Sequence, residues 1–354
     1  MTGRAAEAAA ARPNAWTLGS CADGRIRLAL LLAVAALGTF APPAMASAYW
    51  LGLLVNAIIL GLAALAIGFL ARQCGLMMFG VSALTGGATY VYAIAVTTFG
   101  LQVGAAAVLT LVVSTLAFAA VGAVIVRARP LPFAMLTLAL AQLLHSVVLM
   151  TDLRPWTGGD DGLALSYEGT LFGLTQADIS RPQAFWPLCW IVFCGAIALC
   201  WAVGRSRLGE ALRAIKANEE RMRFSGFGTY TPRVIAFTIS GFIAAVAGLL
   251  SGLYTAFASP ELLDFSAGGN ALVATLIGGV EALLGPPLGA LLFVVGQDWF
   301  GATGNLELLT GLGVALVIYL FPEGVIGFLR HLAFQAVGRI RGSPPPGLTT
   351  GTMS

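Results

Sequence analysis

Charged side chains are scarce in this sequence. Asp, Glu, Lys and Arg make up 10% of its 354 residues, against 58% hydrophobic residues and a mean hydropathy of +0.89. A soluble domain carries about 25% charged residues, and no soluble fold of this length could keep so much apolar surface from water. Histidine is almost missing: His145 and His331 stand far apart, a poor basis for a catalytic constellation. The five cysteines, Cys21, Cys74, Cys189, Cys194 and Cys200, form no CxxC pair, and three share one apolar run. They read as small apolar residues within a membrane, not as metal ligands or a disulfide framework. No GxxxxGK[ST] run is present, so the chain cannot cradle ATP phosphates itself. The formal net charge of +3 is too small to suggest nucleic-acid binding. Nothing in the sequence asks for a cofactor or a metal.

What remains is long, continuous apolar runs. In lipid only helices and closed barrels satisfy the backbone. These runs approach the roughly 20 residues that a spanning helix needs, and they lack the ten-residue alternation of barrel strands. An all-α polytopic membrane protein follows. Its expected spans are about 28–47, 50–71, 75–98, 103–126, 131–150, 184–204, 232–257, 268–284, 286–301 and 308–328. The eighth and ninth are short and interrupted by Gly and Pro, the pattern of re-entrant or broken helices. The first has two readings. Arg25 and Arg27, the apolar run Leu28–Phe40 and the Ala-Met-Ala site near residue 45 resemble a signal peptide. The next span opens almost at once at Tyr49, as in a helical hairpin.

Cation placement sets the expected orientation. With the N-terminus inside and ten spans threaded, 17 of the 19 Lys and Arg fall on the cytoplasmic side, Arg154 and Arg181 being outside. That asymmetry agrees with the positive-inside rule, and both termini come out cytoplasmic. One substantial outer loop, 151–183, carries five acidic residues, Asp160 and Asp161 among them.

The segment 205–233 stands apart, with seven of the chain's 19 cations in 29 residues. Leu208, Ala211, Leu212 and Ile215 repeat at helical spacing and form one apolar stripe. Lys216 and Glu220, and Glu219 and Arg223, can pair across a turn. Gly226 and Gly228 end the helix, Thr231 caps the next, and Pro232 takes its first position. The spacing predicts one short amphipathic helix between two membrane helices. Physics alone leaves two readings open: a helix lying on anionic lipid, or a knob for a cytoplasmic partner.

The same segment resembles the cytoplasmic loop of ABC-importer permeases, specifically the branched-chain amino-acid permease family and its M-type (LivM-like) subunit. Ser206, Gly209, Ala211, Leu212, Arg213, Ala214, Ile215, Asn218 and Glu219 fit that family's run. Glu210 departs from it, as does Lys216 mildly. Thr157–Leu163 is similar to the family's outer-loop glycine signature, Ile277–Ala290 to its late Gly-Pro run, and Phe321–Val325 to its closing element. Gly75–Thr89 is a weaker echo in which a family histidine is missing.

The resemblance implies a division of the chain. Residues 1–24 and 336–354 are cytoplasmic tails; 25–335 is the permease domain, with a periplasmic loop at 151–183 and an ATPase-coupling segment at 205–231. It implies assembly with a second homologous permease subunit, two cytoplasmic ATP-binding subunits and a periplasmic binding protein, in a bacterial inner membrane. The substrate would be a branched-chain or related small amino acid, with urea, an amide or another small polar solute as the alternative. Leu208, Gly209, Ala211, Leu212, Arg213, Ala214, Ile215, Asn218 and Glu219 would couple to the ATPase. The few polar residues within spans are path candidates because lipid makes them costly: Thr85, Gln142, His145, Asn270 and Thr275. Gln142 and His145 share a face, where a bond holding the bundle competes with substrate contact. Gly158, Gly159, Asp160, Asp161 and Gly162 would form an acidic gate or a docking turn; they lack the spacing of a calcium loop. A self-contained secondary transporter should show carboxylates in mid-span, and these are missing.

Overall fold

Twenty-seven residues, Ala48–Cys74, form α1, and the run Gly61–Ala71 is buried on every side. A helix that is apolar all round belongs inside a bundle, and α1 is its axis. The computed structural model describes residues 47–166 and 175–301, with 38, 39, 43, 311 and 324 besides. The expected spans 28–47 and 308–328 lie almost wholly outside these, as do both tails.

The other helices are α2 (Val81–Thr97), α3 (Val103–Ile125), α4 (Pro130–Val148), α5 (Arg154–Thr157), α6 (Gln176–Ile179), α7 (Pro182–Arg205), α8 (Arg207–Ala217), α9 (Glu219–Phe224), α10 (Tyr230–Thr255), α11 (Phe265–Gly278) and α12 (Gly285–Gly301). Among the described residues five are long and apolar enough to cross a membrane: α1, α3, α4, α7 and α10. The apolar α2, α11 and α12 are shorter. Each of the eight spans expected between residues 50 and 301 therefore has a helix, with shifted edges.

The largest shifts are at α2, which starts at Val81 and not near 75, and at α11, which ends at Gly278 and not near 284. Gly75, at φ 69°, closes α1 in the left-handed region by donating to the Ala71 carbonyl. The chain then runs non-helically to Gly80. There the Phe79 and Gly80 amides donate to the Thr137 hydroxyl of α4 at 3.2 and 3.4 Å.

Close contacts fix the helix directions. Ser240 of α10 donates to the Ala66 carbonyl of α1 at 2.8 Å, while Gly52 lies against Tyr254, so these two core helices are antiparallel. Gly248 and Gly252 of α10 meet Thr85 and Thr89 of α2 in the same order, so that pair is parallel. Gly122 and Gly241 let α3 and α10 cross antiparallel over Phe237 and Phe118. The GxxxG pattern at Gly248–Gly252 thus packs helices within this chain.

The α11–α12 hairpin, of 14 and 17 residues, keeps the short lengths that suggested re-entrant spans, but the prolines break neither helix. Pro286 and Pro287 sit in the first turn of α12, where a missing N–H has no helical partner to lose. They begin a helix and open no carbonyls. Gly278 and Gly289 let the two helices touch backbone to backbone.

Two ends of the bundle emerge. One gathers the C-termini of α1, α3 and α7, the N-termini of α4 and α10, α8, α9 and the 279–284 turn. The other carries a two-stranded antiparallel ladder, β1 (Leu163–Ala164) with β2 (Phe257–Ala258). Of the twelve cations in the described residues, all but Arg154 and Arg181 lie at the first end.

Candidate functional site

A sharp turn joins α7 to α8. The Ser206 hydroxyl accepts from the Gly209 amide at 3.4 Å as an N-cap, and Gly209 itself presses on the Val203 and Gly204 carbonyls, where no Cβ would fit. The apolar stripe then faces inward. Leu212 and Ile215 are fully buried against the bundle, Leu208, Ala211 and Ala214 are half-buried, and α8 packs on α1, α7 and α10. Glu210, Arg213 and Ala217 are left exposed on the far side. Arg213 is tethered there by donating to the Gly204 carbonyl at 2.6 Å.

The segment is two helices, which corrects the single-helix reading. Asn218 is extended, at φ −163° and ψ 101°, and its side chain accepts from the Arg221 amide at 2.9 Å to start α9. The break redirects the charges, so neither pairing expected along one helix forms. Lys216 reaches back instead to the Arg72 carbonyl and to Glu281 of the 279–284 turn, both at 3.2 Å. Glu219 turns to Arg233 of α10 and accepts from both guanidinium nitrogens, at 3.0 and 2.7 Å. The Arg233 side chain is 9% exposed and that of Glu219 36%. Two parallel bonds on a buried cation make a directional clamp. Thr229 also donates to Glu219 at 3.3 Å. Its hydroxyl therefore does not cap α10, which begins at Tyr230, before the Thr231 expected to cap it. Gly226, at φ 82°, makes the turn beyond α9.

So α8 and α9 form a braced elbow. It is tied to α1 through Lys216, to the α11–α12 hairpin through Glu281, and to α10 through Glu219. The sequence pattern revealed the stripe, but the partners Arg72, Arg233 and Glu281 lie far along the chain and left no local signal.

At the opposite end, Gly158, Gly159 and Gly162 all have positive φ. Arg154 pairs with Asp161 at 2.8 Å across this turn, and the buried Thr157 hydroxyl donates to the Val148 carbonyl at 2.8 Å. Asp160 is exposed. The result is a fixed glycine turn leading into β1.

The path candidates divide. Thr275 is buried and donates to the Ala64 and Ala271 carbonyls at 3.2 and 2.8 Å, joining α11 to α1. Thr85 donates within its own helix. Gln142 and Asn270 are exposed and His145 half-buried, and among the described residues no side-chain hydrogen bond engages any of them. They stand on α4 and α11, which touch each other and both pack on α2. The Ser266 hydroxyl, donating to Asp264 at the start of α11, holds that carboxyl below the usual carboxylate range, and the field of His145 adds to the effect.

These features define a helical multi-pass membrane protein with an external elbow clamped to its core. Residues 49–321 match the model of the branched-chain amino acid transport system permease component, and the chain belongs to that family. It is thus a transport permease component and not an enzyme. It is similar to the permease protein LivM of the high-affinity branched-chain amino acid transport system of Salmonella typhimurium, with 25% identity over 291 residues, 76% of this chain and 68% of LivM. It is 34% identical to LivH of the same organism over 158 residues, 43% of this chain and 49% of LivH. It is also 27% identical to LsrC, the autoinducer 2 import system permease of Klebsiella pneumoniae, over 239 residues, 65% of this chain and 61% of LsrC. The match spans about half the length of LivH and about two thirds of that of LivM. No solved structure matches.

Proposed function

We propose that this chain forms half of the membrane pathway of an ATP-driven importer for branched-chain or related small amino acids. The observation that carries the reading is the elbow α8–α9. Its apolar stripe is spent on the chain's own bundle, so what it offers outward is the charged pair Glu210 and Arg213 with the small Ala217. An interfacial helix should instead turn its apolar face toward lipid. On this reading the elbow end is cytoplasmic, as its surplus of cations supports, and both termini lie on that side. Two ATP-binding subunits dock at the elbow, a second homologous permease subunit completes the pathway, and a periplasmic binding protein delivers substrate at the Gly158–Gly162 turn. The membrane is the bacterial inner membrane. Closure of the ATPases moves the elbow and, with it, α1 and α10 between two states.

The docking test uses the exposed face only. Arg213→Glu combined with Ala217→Glu is expected to abolish co-purification of the ATPase subunits while the chain keeps its size-exclusion profile. Unchanged co-purification would send the elbow back to a lipid-surface role.

The pathway on this reading runs along Gln142, His145 and Asn270, polar groups exposed on membrane helices. Gln142→Leu with Asn270→Leu should lower uptake about tenfold or more, as two lost polar contacts of about 1 kcal/mol each imply, with ATPase binding intact. Radiolabelled leucine uptake reads this out, and equal uptake by the variant removes these residues from the path. The likeness to LsrC supports a second reading, in which another small polar solute is carried; competition of leucine uptake by urea or a short amide separates the two.

A further inference from the structure

A cavity of about 460 Å³ opens at the elbow end, between the last turn of α3, the 225–229 loop and the start of α10. Three arginines line it, Arg127, Arg223 and Arg233, against one carboxylate, Glu219. That carboxylate is fully committed to Arg233 and Thr229. Among the described residues neither Arg127 nor Arg223 makes an ion pair, so the cavity holds two uncompensated positive charges. Arg127 is held in place over the Tyr230 ring, 5.2 Å from its centroid, and Tyr230 is anchored by donating to the Ala123 carbonyl at 2.6 Å.

One further observation points to an anion. Thr229 and Tyr230, at the start of the 26-residue helix α10, line the same cavity, and no side chain caps that helix. Uncapped amides at a helix N-terminus favour an anion. The surroundings say where that anion comes from. Val124, one turn before Arg127, is 73% exposed, and Leu131 and Met135 at the start of α4 are exposed as well. An apolar wall of this kind in a membrane protein faces acyl chains. Phe227 lines the mouth and is exposed, as aromatic side chains are at the headgroup level.

We propose that this cavity binds the phosphate of an anionic membrane lipid, with Arg127 and Arg223 as its principal cations beside the uncapped start of α10. Basic pockets between membrane helices on the cytoplasmic side take such headgroups. The bound lipid would fix the 225–229 loop against α3. The proposal rests on the elbow end lying at a bilayer surface and does not depend on which solute is carried or on an ATPase.

The test is delipidation of the full-length chain in detergent, followed by native mass spectrometry and thermal melting with three probes: dioleoylphosphatidylglycerol, dioleoylphosphatidylcholine and inorganic phosphate. Phosphatidylglycerol is expected to give a retained 1:1 adduct and a raised melting temperature, and phosphatidylcholine, whose cation opposes the arginines, to give neither. Arg127→Gln with Arg223→Gln should weaken the phosphatidylglycerol adduct about tenfold or more, leaving the lipid-free melting temperature unchanged because both side chains are exposed. Equal binding of the two lipids, or full retention by the double variant, overturns the proposal. Inorganic phosphate alone reproducing the whole shift assigns a free-anion site and overturns the lipid reading, while the importer reading stands or falls separately on ATPase co-purification.

Discussion

A Gly289→Leu chain is expected not to fold. A Cβ at position 289 would collide with the Ala274 carbonyl and the Gly278 backbone of α11. These are main-chain atoms that no rotamer change can move aside, so the helices themselves must part. Overpacking costs about 1–3 kcal/mol where side chains can adjust; here, with backbone on both sides, at least the upper end of that range applies. Separating α11 from α12 also exposes the seat of Pro286 against Gly68 of α1. Fluorescence-detected size-exclusion of a tagged chain reads the outcome: loss of the monodisperse peak for Gly289→Leu, retention for Gly269→Leu. Gly269 lies on the same hairpin, and among the described residues no atom stands within 4 Å of its would-be Cβ. Equal profiles for the two variants would refute backbone contact as the basis of the hairpin.

The clamp between Glu219 and Arg233 gives the second large effect, and it is asymmetric. Glu219→Gln leaves a cation at 7% exposure without its counter-charge, an expected loss of about 2–3 kcal/mol. Arg233→Met removes the buried charge and leaves a carboxylate that is 36% exposed and can hydrate. Its loss should be nearer 1 kcal/mol. Combining the two substitutions should recover most of what Glu219→Gln loses, since no unpaired buried charge remains. Melting temperatures in detergent order the four chains. Uptake orders them differently: both single variants and the double one lack the bidentate ion pair between elbow and α10, so all three should transport poorly. If the double variant transports normally, the clamp serves stability and takes no part in coupling.

The sequence is most informative where one physical rule acts alone. Long apolar runs against a charge-poor background locate the spans, because lipid forces each run into its own helix. The α8 stripe at Leu208, Leu212 and Ile215 is legible for the same reason. Legibility ends where a competing rule intervenes. The helix pairs Lys216–Glu220 and Glu219–Arg223 fit the spacing, but Asn218 takes an extended conformation and distant Glu281 and Arg233 win both charges. The Gly-Pro run at 285–289 resembles an interruption because periodicity does not see that proline is harmless in a first turn. Among the path candidates, spacing places Gln142 and His145 on one face. It gives no hint that Thr275 spends its hydroxyl on Ala64 of α1, 211 residues away.

The short ladder between β1 and β2 has a consequence for linkage. α10 starts at the clamp and ends beside Phe257 and Ala258, which bond to Leu163 and Ala164 just past the glycine turn. One 26-residue rod, about 39 Å long at 1.5 Å per residue, therefore joins the two ends of the molecule. Two binding events that each prefer one position of that rod cannot be independent. Whatever factor a ligand at the elbow applies to affinity at the turn, a ligand at the turn must apply to affinity at the elbow. If a partner grips each end of this helix, the grip on one can be measured by titrating the other.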